Sequence, residues 1–327
     1  MPGGRNIICL LLAVVLWTQS SQGQNGTESE ELNQCGQSNP SGVRKRVVSG
    51  HDALPGAWPW QALLLYGYRR TFLCSGALIH PSWVLTAAHC IRNRSPGRYK
   101  IRLGDFDRLR HEGREQTFDV EKIVSHPEHD QPVSRNNDLA LVKLKRPARL
   151  NKWVGSVCLP SKADYLHKDL HCYATGWGMT MRGRSYSRRL QQAHIPLVTK
   201  AKCRKRASSL NGRYWYPFYQ QITHQMLCGG DDTTGASTCM GDSGGPYVCR
   251  NPQGYWVLQG ITSWGSKSCR VRDRYSVFTK VHLYTTWIEK VMNGTAGNDN
   301  TTTQTTSGPY ISMQQLLRSL LRLARLG

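Results

Sequence analysis

Acidic residues are scarce in this sequence. Its 327 residues include 21 Asp and Glu against 43 Lys and Arg, which gives a formal net charge of +22 at pH 7. Such an excess favours anionic partners, namely sulfated glycans, nucleic acid or a membrane surface. No DNA- or RNA-binding motif accompanies the charge, so we expect no nucleic-acid partner and retain anionic glycans. A basic surface without a specific partner is the alternative interpretation.

Long apolar runs and helical patterns are scarce as well. The apolar run at residues 7–17 is too short to span a bilayer comfortably. Short apolar segments instead recur between turn signals, a pattern typical of an all-β sandwich or barrel. They are 61–66, 72–79, 99–103, 139–144, 256–261 and 276–281. Residues 284–292 have helical spacing and predict a closing amphipathic helix.

The N-terminus has the pattern of a secretory signal peptide. Residues 1–23 combine the basic Arg5, the apolar run and a small-residue exit. The chain contains 11 cysteines, a high count for an intracellular protein, where thiols stay reduced. Cys9 would leave with the signal, so ten of the 11 would remain, an even number. We therefore predict a secreted, extracellular protein.

Two segments flank the predicted domain at residues 47–292. Residues 24–46 are polar and end in an Arg-Lys-Arg run. Residues 293–327 comprise a Thr- and Asn-rich spacer and a short basic amphipathic tail. The tail would lie on a membrane or a partner, or be disordered or trimmed, and its arginines argue against a removed lipid-anchor signal. N-glycosylation sequons occur at Asn25, Asn93, Asn293 and Asn300.

One stretch combines a nucleophile with conformational freedom, because Ser243 lies in the run Gly-Asp-Ser-Gly-Gly-Pro at residues 241–246. Glycines there permit a tight turn that brings backbone N–H groups close to a substrate. A serine hydroxyl needs a base, and the base needs an orienting group. His89 precedes a cysteine after an apolar run, and Asp138 precedes the apolar segment 139–144. Each signal alone is modest, but together they predict a catalytic triad.

The serine motif also fits the Gly-x-Ser-x-Gly nucleophile elbow of α/β-hydrolases. That fold needs alternating strands and helices, with an aspartate and then a histidine after the serine. Here helical segments are scarce, and both His89 and Asp138 precede Ser243. The elbow interpretation is therefore disfavoured.

The three motifs resemble those of the chymotrypsin/trypsin family of serine endopeptidases, and the resemblance covers residues 47–292. It implies two antiparallel β-barrels with the active site between them, followed by a C-terminal helix. It also implies that Ser243 attacks the peptide carbonyl, that His89 is the general base, and that Asp138 orients the imidazole.

The resemblance extends to groups that would hold a protein or peptide substrate. The N–H groups of Gly241 and Ser243 would form the oxyanion hole. An extended substrate would add as a strand along Ser263, Trp264 and Gly265. The alternative interpretation of Trp264 is a core aromatic residue.

The resemblance further implies a zymogen that is cut after Arg46. The new Val47 ammonium would fold inward and pair with Asp242, since an uncompensated buried carboxylate is costly. A solvated linker is the alternative interpretation of the basic run. A chymotrypsin-like pocket would not cut after arginine, so we expect a separate trypsin-like activating protease.

The specificity pocket is predicted to be neutral. Ser237 stands six residues before Ser243, where trypsin-like members carry an aspartate. Such a pocket suits large apolar or aromatic side chains, as in chymotrypsin. On the opposite wall Gly265 is small, but Ser276 replaces the glycine of broad-pocket enzymes, which would favour Leu or Met over Trp. Asp273 could face the pocket and readmit basic residues, the trypsin-like alternative, or it is a solvated loop charge.

The resemblance also implies five disulfides that use all ten remaining cysteines. The pairs are Cys35–Cys158, Cys74–Cys90, Cys172–Cys249, Cys203–Cys228 and Cys239–Cys269. The first of them would keep the activation segment attached after cleavage.

No metal or cofactor is expected for catalysis. Asp105, Glu112 and Glu115 have the spacing of the family's calcium loop, and their oxygens suit Ca²⁺. Solvated acids among neighbouring arginines are the alternative. We expect the protein to act as a monomer. A non-enzymatic homologue that binds glycans or membranes is the alternative function, but it would not need the intact motifs.

Overall fold

The computed structural model describes most of the chain between residues 34 and 295. The described residues are 34–38, 50–92, 95–161, 164, 166, 169–179, 185–208, 221–265, 269 and 275–295. The predicted signal peptide, Arg46, Val47, Asp273 and the C-terminal tail lie outside them, as do the sequons at Asn25, Asn93 and Asn300.

Two antiparallel sheets contain the strands of the described residues. The strands are β1 (His51–Asp52), β2 (Gln61–Tyr66), β3 (Thr71–His80), β4 (Trp83–Thr86), β5 (Tyr99–Leu103), β6 (Gln116–Ser125), β7 (Ala140–Leu144), β8 (Cys172–Gly176), β9 (Gln191–His194), β10 (Leu197–Val198), β11 (Met226–Gly229), β12 (Pro246–Arg250), β13 (Trp256–Trp264) and β14 (Ser276–Lys280). The all-β prediction is confirmed.

The first sheet is a closed six-stranded barrel in the order β2-β3-β4-β7-β6-β5. Alternation directs the side chains, as β5 illustrates. Tyr99, Ile101 and Leu103 are buried inside, while Lys100 and Arg102 point outward. β2 and β4 are buried over nearly their whole length, because other parts of the chain cover their outer faces.

The second sheet has eight strands in the order β1-β9-β8-β12-β13-β14-β11-β10. It curls into a half-barrel, and together with the closed barrel this agrees with the predicted two-barrel fold. Its end strands, His51–Asp52 and Leu197–Val198, are two residues long each. Within the sheet, the Tyr247 and Phe278 rings stack with centroids 4.2 Å apart.

Two α-helices lie among the described residues, α1 (Lys200–Ser208) and α2 (Thr285–Met292). The predicted closing helix is α2, which buries Ile288 and Val291 and follows a 3₁₀ turn at Val281–Tyr284. The apolar pattern did not predict α1, because α1 lacks an apolar face and is anchored by Cys203 instead. Neither helix has the length and apolarity needed to cross a bilayer.

Five disulfides join Cys35–Cys158, Cys74–Cys90, Cys172–Cys249, Cys203–Cys228 and Cys239–Cys269. These are the pairs that the resemblance implied. The link between Cys35 and Cys158 spans 123 positions and ties the N-terminal segment to the domain.

Aromatic packing joins the two sheets into one core. Trp58 packs against Trp60 at 5.8 Å and against Trp256 of β13 at 4.9 Å between ring centroids. Its indole N–H donates to the Gln192 side chain of β9 at 2.7 Å. Across the same seam, the Ser75 N–H of β3 donates to the Ser243 carbonyl at 2.9 Å. The seam therefore sets the serine motif against the barrel.

Candidate active site

The centre of the site is a buried carboxylate on Asp138. Asp138 is 0% exposed and lies just before β7. Its Oδ2 is 2.7 Å from His89 Nδ1, and its Oδ1 accepts the His89 backbone N–H at 2.9 Å. The Ser263 hydroxyl also donates to Oδ2. Both carboxylate oxygens therefore have hydrogen-bond donors, as a buried charge requires.

The backbone before Asp138 is held by Asn137, which has a φ of +51°. Asparagine tolerates this left-handed conformation better than most residues. Its amide donates to the Glu128 carbonyl at 2.9 Å and accepts from the Tyr284 hydroxyl at 2.7 Å. The Thr279 hydroxyl donates to the Asp138 carbonyl at 2.9 Å. The loop before β7 is thus fastened to β14 and to the turn before α2.

Two opposing effects set the charge of Asp138. Burial by itself raises the pKa of the carboxyl, but the His89 charge, the nearby His129 imidazole and hydrogen bonds from His89 and Ser263 lower it. The stabilising contacts prevail, and the pKa lies well below the usual aspartate range. Asp138 therefore remains ionised and can accept a hydrogen bond from the Nδ1–H group of His89.

The position of His89 follows from its place in the chain. It lies on a 3₁₀ turn, Ala88–Cys90, directly after β4, and the disulfide between Cys74 and Cys90 fastens this turn to β3. With Nδ1 facing Asp138, Nε2 is left for a reacting group. Cys90 Sγ lies 3.9 Å from Nε2, and the His89 side chain is 17% exposed.

Glycines in the serine motif allow its backbone to lie close to neighbouring residues. Gly244 has a φ of +76°, and a Cβ there would collide with Thr86 and Ser75. Gly241 has a φ of +98°, and a Cβ there would lie 2.8 Å from the Tyr186 ring. The close approach that these glycines permit sets Ser243 beside the end of β4. Among the described residues, no hydrogen bond joins Ser243 Oγ to His89 Nε2.

Two backbone donors beside Ser243 are unused. Within the described part of the chain, neither the Gly241 N–H nor the Ser243 N–H donates a hydrogen bond. Their neighbours are engaged, because the Gly244 N–H donates to Thr262 and the Gly245 N–H to Asp242, both at 2.8 Å. The unused donors are the pair that the sequence assigned to an oxyanion hole.

Asp242 lies at the wall of a cavity of about 520 Å³ that Gly50 also lines. Its carboxylate accepts the Gly178 N–H at 2.9 Å and the Cys239 N–H at 2.8 Å. Burial raises the pKa of this carboxyl to about 6, and the two N–H groups offset only part of the effect. Among the described residues no cation pairs with Asp242.

The base of the predicted specificity pocket is a network of hydroxyl groups. Ser237 Oγ and Ser276 Oγ are 3.0 Å apart. Ser276 Oγ also accepts the Thr238 N–H at 2.7 Å and lies 2.9 Å from the Thr238 hydroxyl. Gly265 on the opposite wall has room for a Cβ, which would lie 3.5 Å from the Ser276 backbone. Among the residues that the structure describes, no charged side chain takes part in the network.

The sequence did not predict two further contacts of Asp138. His129 Nε2 lies 3.3 Å from Asp138 Oδ1, and Arg135 Nη1 lies 3.8 Å from Oδ2. Both residues are in the irregular loop before β7, where no periodic pattern assigns direction to a side chain. The Ser263 hydroxyl likewise proved to contact Asp138, although the sequence assigned Ser263 only to a substrate-binding strand.

The predicted calcium-loop acids lie together. Oxygens of Asp105, Glu112 and Glu115 are within 4.8 Å of one another, and Asp105 Oδ1 is buried without a hydrogen-bond partner. An oxygen-only set with one unpaired oxygen fits Ca²⁺. However, Arg102 lies 3.2 Å from Asp105, and Arg114 lies 2.5 Å from Glu112. Because these arginines already neutralise charge, a structural calcium stays a prediction.

Intramolecular ion pairs engage several of the basic residues that contribute to the positive charge of the chain. Asp232 pairs with Lys202 at 2.8 Å and with Arg206 at 3.1 Å. Arg188 pairs with Asp107 at 2.7 Å. Pairing reduces the positive charge that these residues offer an anion. A glycan partner stays a prediction.

Comparisons with known proteins agree with this geometry. A family model described as Trypsin matches residues 47–288. Ovochymase from Halocynthia roretzi is 36% identical over 280 residues, which cover 84% of this chain and 17% of that protein. The chain thus spans about a sixth of the length of this relative.

The position of Asp242 yields a prediction about stability. Its pKa of about 6 exceeds the ordinary aspartate value, so the folded chain binds this proton more tightly than the unfolded chain. Ionised Asp242 therefore reduces the free energy of unfolding, increasingly as the pH rises from about 4 to about 6. In the uncleaved chain, Asp242→Asn should raise Tm at about pH 7.5 by a few degrees, since 1 kcal/mol corresponds to about 2–4 °C.

At about pH 4 the side chain at position 242 is neutral in both folded proteins, so the Tm values of the parent chain and of Asp242→Asn should differ little. Asp232→Asn is the matched control, because Lys202 and Tyr275 hold the pKa of Asp232 below its usual range. That variant should not gain stability at neutral pH. Thermal unfolding followed by circular dichroism measures both effects, and a lower Tm for Asp242→Asn at neutral pH would contradict the analysis.

Proposed function

This chain belongs to the trypsin family of serine proteases, and we propose that it is a secreted endopeptidase, made as a zymogen, that cleaves after large apolar residues. The observation that carries the proposal is the buried pair of His89 and Asp138 with the Ser263 hydroxyl on the same carboxylate. This arrangement orients one imidazole nitrogen inward and leaves the other for a reacting hydroxyl.

In the proposed reaction, Ser243 Oγ attacks the peptide carbonyl while His89 Nε2 takes its proton. The tetrahedral intermediate collapses when His89 gives that proton to the departing amine, which leaves an acyl-enzyme. Water then attacks the ester, His89 accepts a proton from it, and the acid product leaves as Ser243 regains its proton. Asp138 stabilises the imidazolium in both halves and holds the tautomer.

The Gly241 and Ser243 N–H groups would bind the oxyanion of the intermediate. Donors that are already aimed stabilise charge as it develops, and losing one typically costs about 10²–10³ in rate. The absence of competing hydrogen bonds to either donor within the described residues supports this role.

Activation is proposed to depend on Asp242. Gly50 lines the same cavity as the Asp242 carboxylate, and Val47 is three residues before Gly50. Three extended residues span up to about 10 Å, so a new N-terminus at Val47 has reach into the cavity. An ammonium there would compensate the buried charge. Pairing would also hold the backbone of Gly241 and Ser243.

This model predicts the effect of cleavage after Arg46. Treating the chain with trypsin should expose Val47 and raise hydrolytic activity, whereas the purified precursor alone should remain intact. Val47→Gly should lower activity of the cleaved form without unfolding it, because the N-terminal residue loses its apolar contacts and rigidity. N-terminal sequencing and circular dichroism are the checks. Full activity of the variant, or rapid self-cleavage of the precursor, would count against the model.

The function itself is tested by hydrolysis of a peptide panel with the chain cleaved after Arg46. The substrates carry Phe, Tyr, Leu, Ala or Arg before the scissile bond, and Ser243→Ala is the matched control. We expect cleavage after Phe, Tyr and Leu, reduced by a factor of about 10⁴ or more in the control.

The other outcomes of the panel separate the alternatives. Preference for Arg would support the predicted triad but contradict the predicted neutral pocket. Asp273 would then be the first residue to substitute. No cleavage by a chain shown to begin at Val47 would favour the non-enzymatic binding protein.

The pocket base predicts a change of preference. Ser276 occupies the end of the proposed slot and is tied to Ser237 by its hydroxyl. Ser276→Gly should therefore deepen the slot and increase kcat/KM for Phe or Trp relative to Leu by about 10-fold, as expected for filling a newly opened apolar space. Ser276→Ala, which removes the same hydroxyl but keeps the Cβ, is the control. An unchanged Phe-to-Leu ratio would show that Ser276 does not limit the slot.

A further inference from the structure

A second histidine faces the carboxylate that orients His89. His129 Nε2 is buried and lies 3.3 Å from Asp138 Oδ1, whereas His89 Nδ1 lies 2.7 Å from Oδ2. The two imidazoles therefore approach opposite oxygens of one buried carboxylate. Within the described part of the chain, His129 Nε2 makes no hydrogen bond of good geometry, so its attraction to Asp138 is mainly electrostatic.

The surroundings of His129 favour its charged form. Burial lowers the pKa of the imidazole, but Asp138 and Asp130 raise it, and the net shift is upward despite the opposing charge of Arg135. Asp130 Oδ1 is 3.6 Å from His129 Nε2 and accepts the Arg135 N–H at 2.6 Å. His126 is a further electrostatic neighbour and packs against Tyr284.

We propose that His129 is a positioning residue that shares the Asp138 carboxylate with His89, so that a charge on one imidazole changes the electrostatic environment of the other. The inference rests on the proposed function only for its effect on catalysis. The proposed effect of His129 on His89 acts through Asp138.

The physical consequence is a competition for one negative charge. When His129 binds a proton, its positive charge cancels part of the field that Asp138 exerts on His89. The His89 imidazole is then less readily protonated, so it stays available as a base to lower pH. Removing the His129 charge should displace the acid limb of the rate profile to higher pH.

Nuclear magnetic resonance of the Ser243→Ala chain tests the contact without any need for activity. The proton between His89 Nδ1 and Asp138 should give a downfield signal whose position changes over the pH range in which His129 titrates. In His129→Gln, which keeps a donor but cannot be charged, that step should vanish. His129→Asn serves if the glutamine variant does not fold.

The matched control is His126→Gln, because His126 lies on the same loop and has no contact with Asp138 among the described residues. Its spectrum should keep the step. The proposal would be overturned if the position of the His89 signal did not change as His129 gains its proton. It would also be overturned if the pH-dependent step disappeared in His126→Gln.

The catalytic consequence is measured with the active chain and its preferred peptide. In His129→Gln the acid limb of kcat/KM should move up by about 0.5–1 pH unit, while KM stays within about 2-fold. An acid limb that does not move, or that moves down, would overturn the catalytic role. If the spectra show the coupling but no peptide is cleaved, the contact is supported and the proposed function fails.

Discussion

A charged carboxylate with no exposed surface has to be compensated by the protein around it, and much of this fold serves that need at Asp138. Removing an aspartate from water costs several kcal/mol unless hydrogen bonds and opposite charges replace the water. The compensation comes from three directions: the turn after β4, the end of β13 and the loop before β7. Both sheets contribute, so the charge is stable only where they meet. The geometry of the site therefore depends on how the two sheets pack against each other.

Asp242 is the second carboxylate of the site and presents the opposite case. It accepts two backbone N–H groups, but no cation faces it among the described residues, and burial raises its pKa to about 6. Gly176 and Gly178 leave the space that its carboxylate occupies, since a Cβ at either would collide with it. Hydrogen bonds and nearby positive charges thus compensate the Asp138 carboxylate, whereas the Asp242 carboxylate has no compensating cation among the described residues. This asymmetry agrees with the proposed activation, in which cleavage after Arg46 would create an ammonium that pairs with Asp242.

Comparing the predicted strands and helices with the structure shows which elements the periodicity of apolar residues can predict. Segments 61–66 and 99–103 were predicted with the bounds that the structure has, because each alternates or is buried throughout and turn residues limit it. The closing helix was predicted to begin at residue 284 and begins at Thr285. The helix Lys200–Ser208 was not predicted, because a disulfide rather than an apolar face secures it. The two-barrel architecture was implied by the family resemblance and is confirmed, whereas strand pattern alone does not report how the end strands of the second sheet lie.

The sequence by itself determined the family, the order of the three catalytic motifs and the neutral character of the residue at 237, because residue types and their order are enough for each. Only the tertiary structure decided which side chains surround Asp138. His129 and Arg135 lie in an irregular loop, where side-chain direction depends on left-handed residues such as Asn137 and on contacts with distant strands. It likewise decided that the Ser276 hydroxyl binds Ser237 and Thr238, positions 38 and 39 residues away along the chain. Charge compensation in a protein interior is a property of three-dimensional neighbours, and spacing along the chain does not contain it.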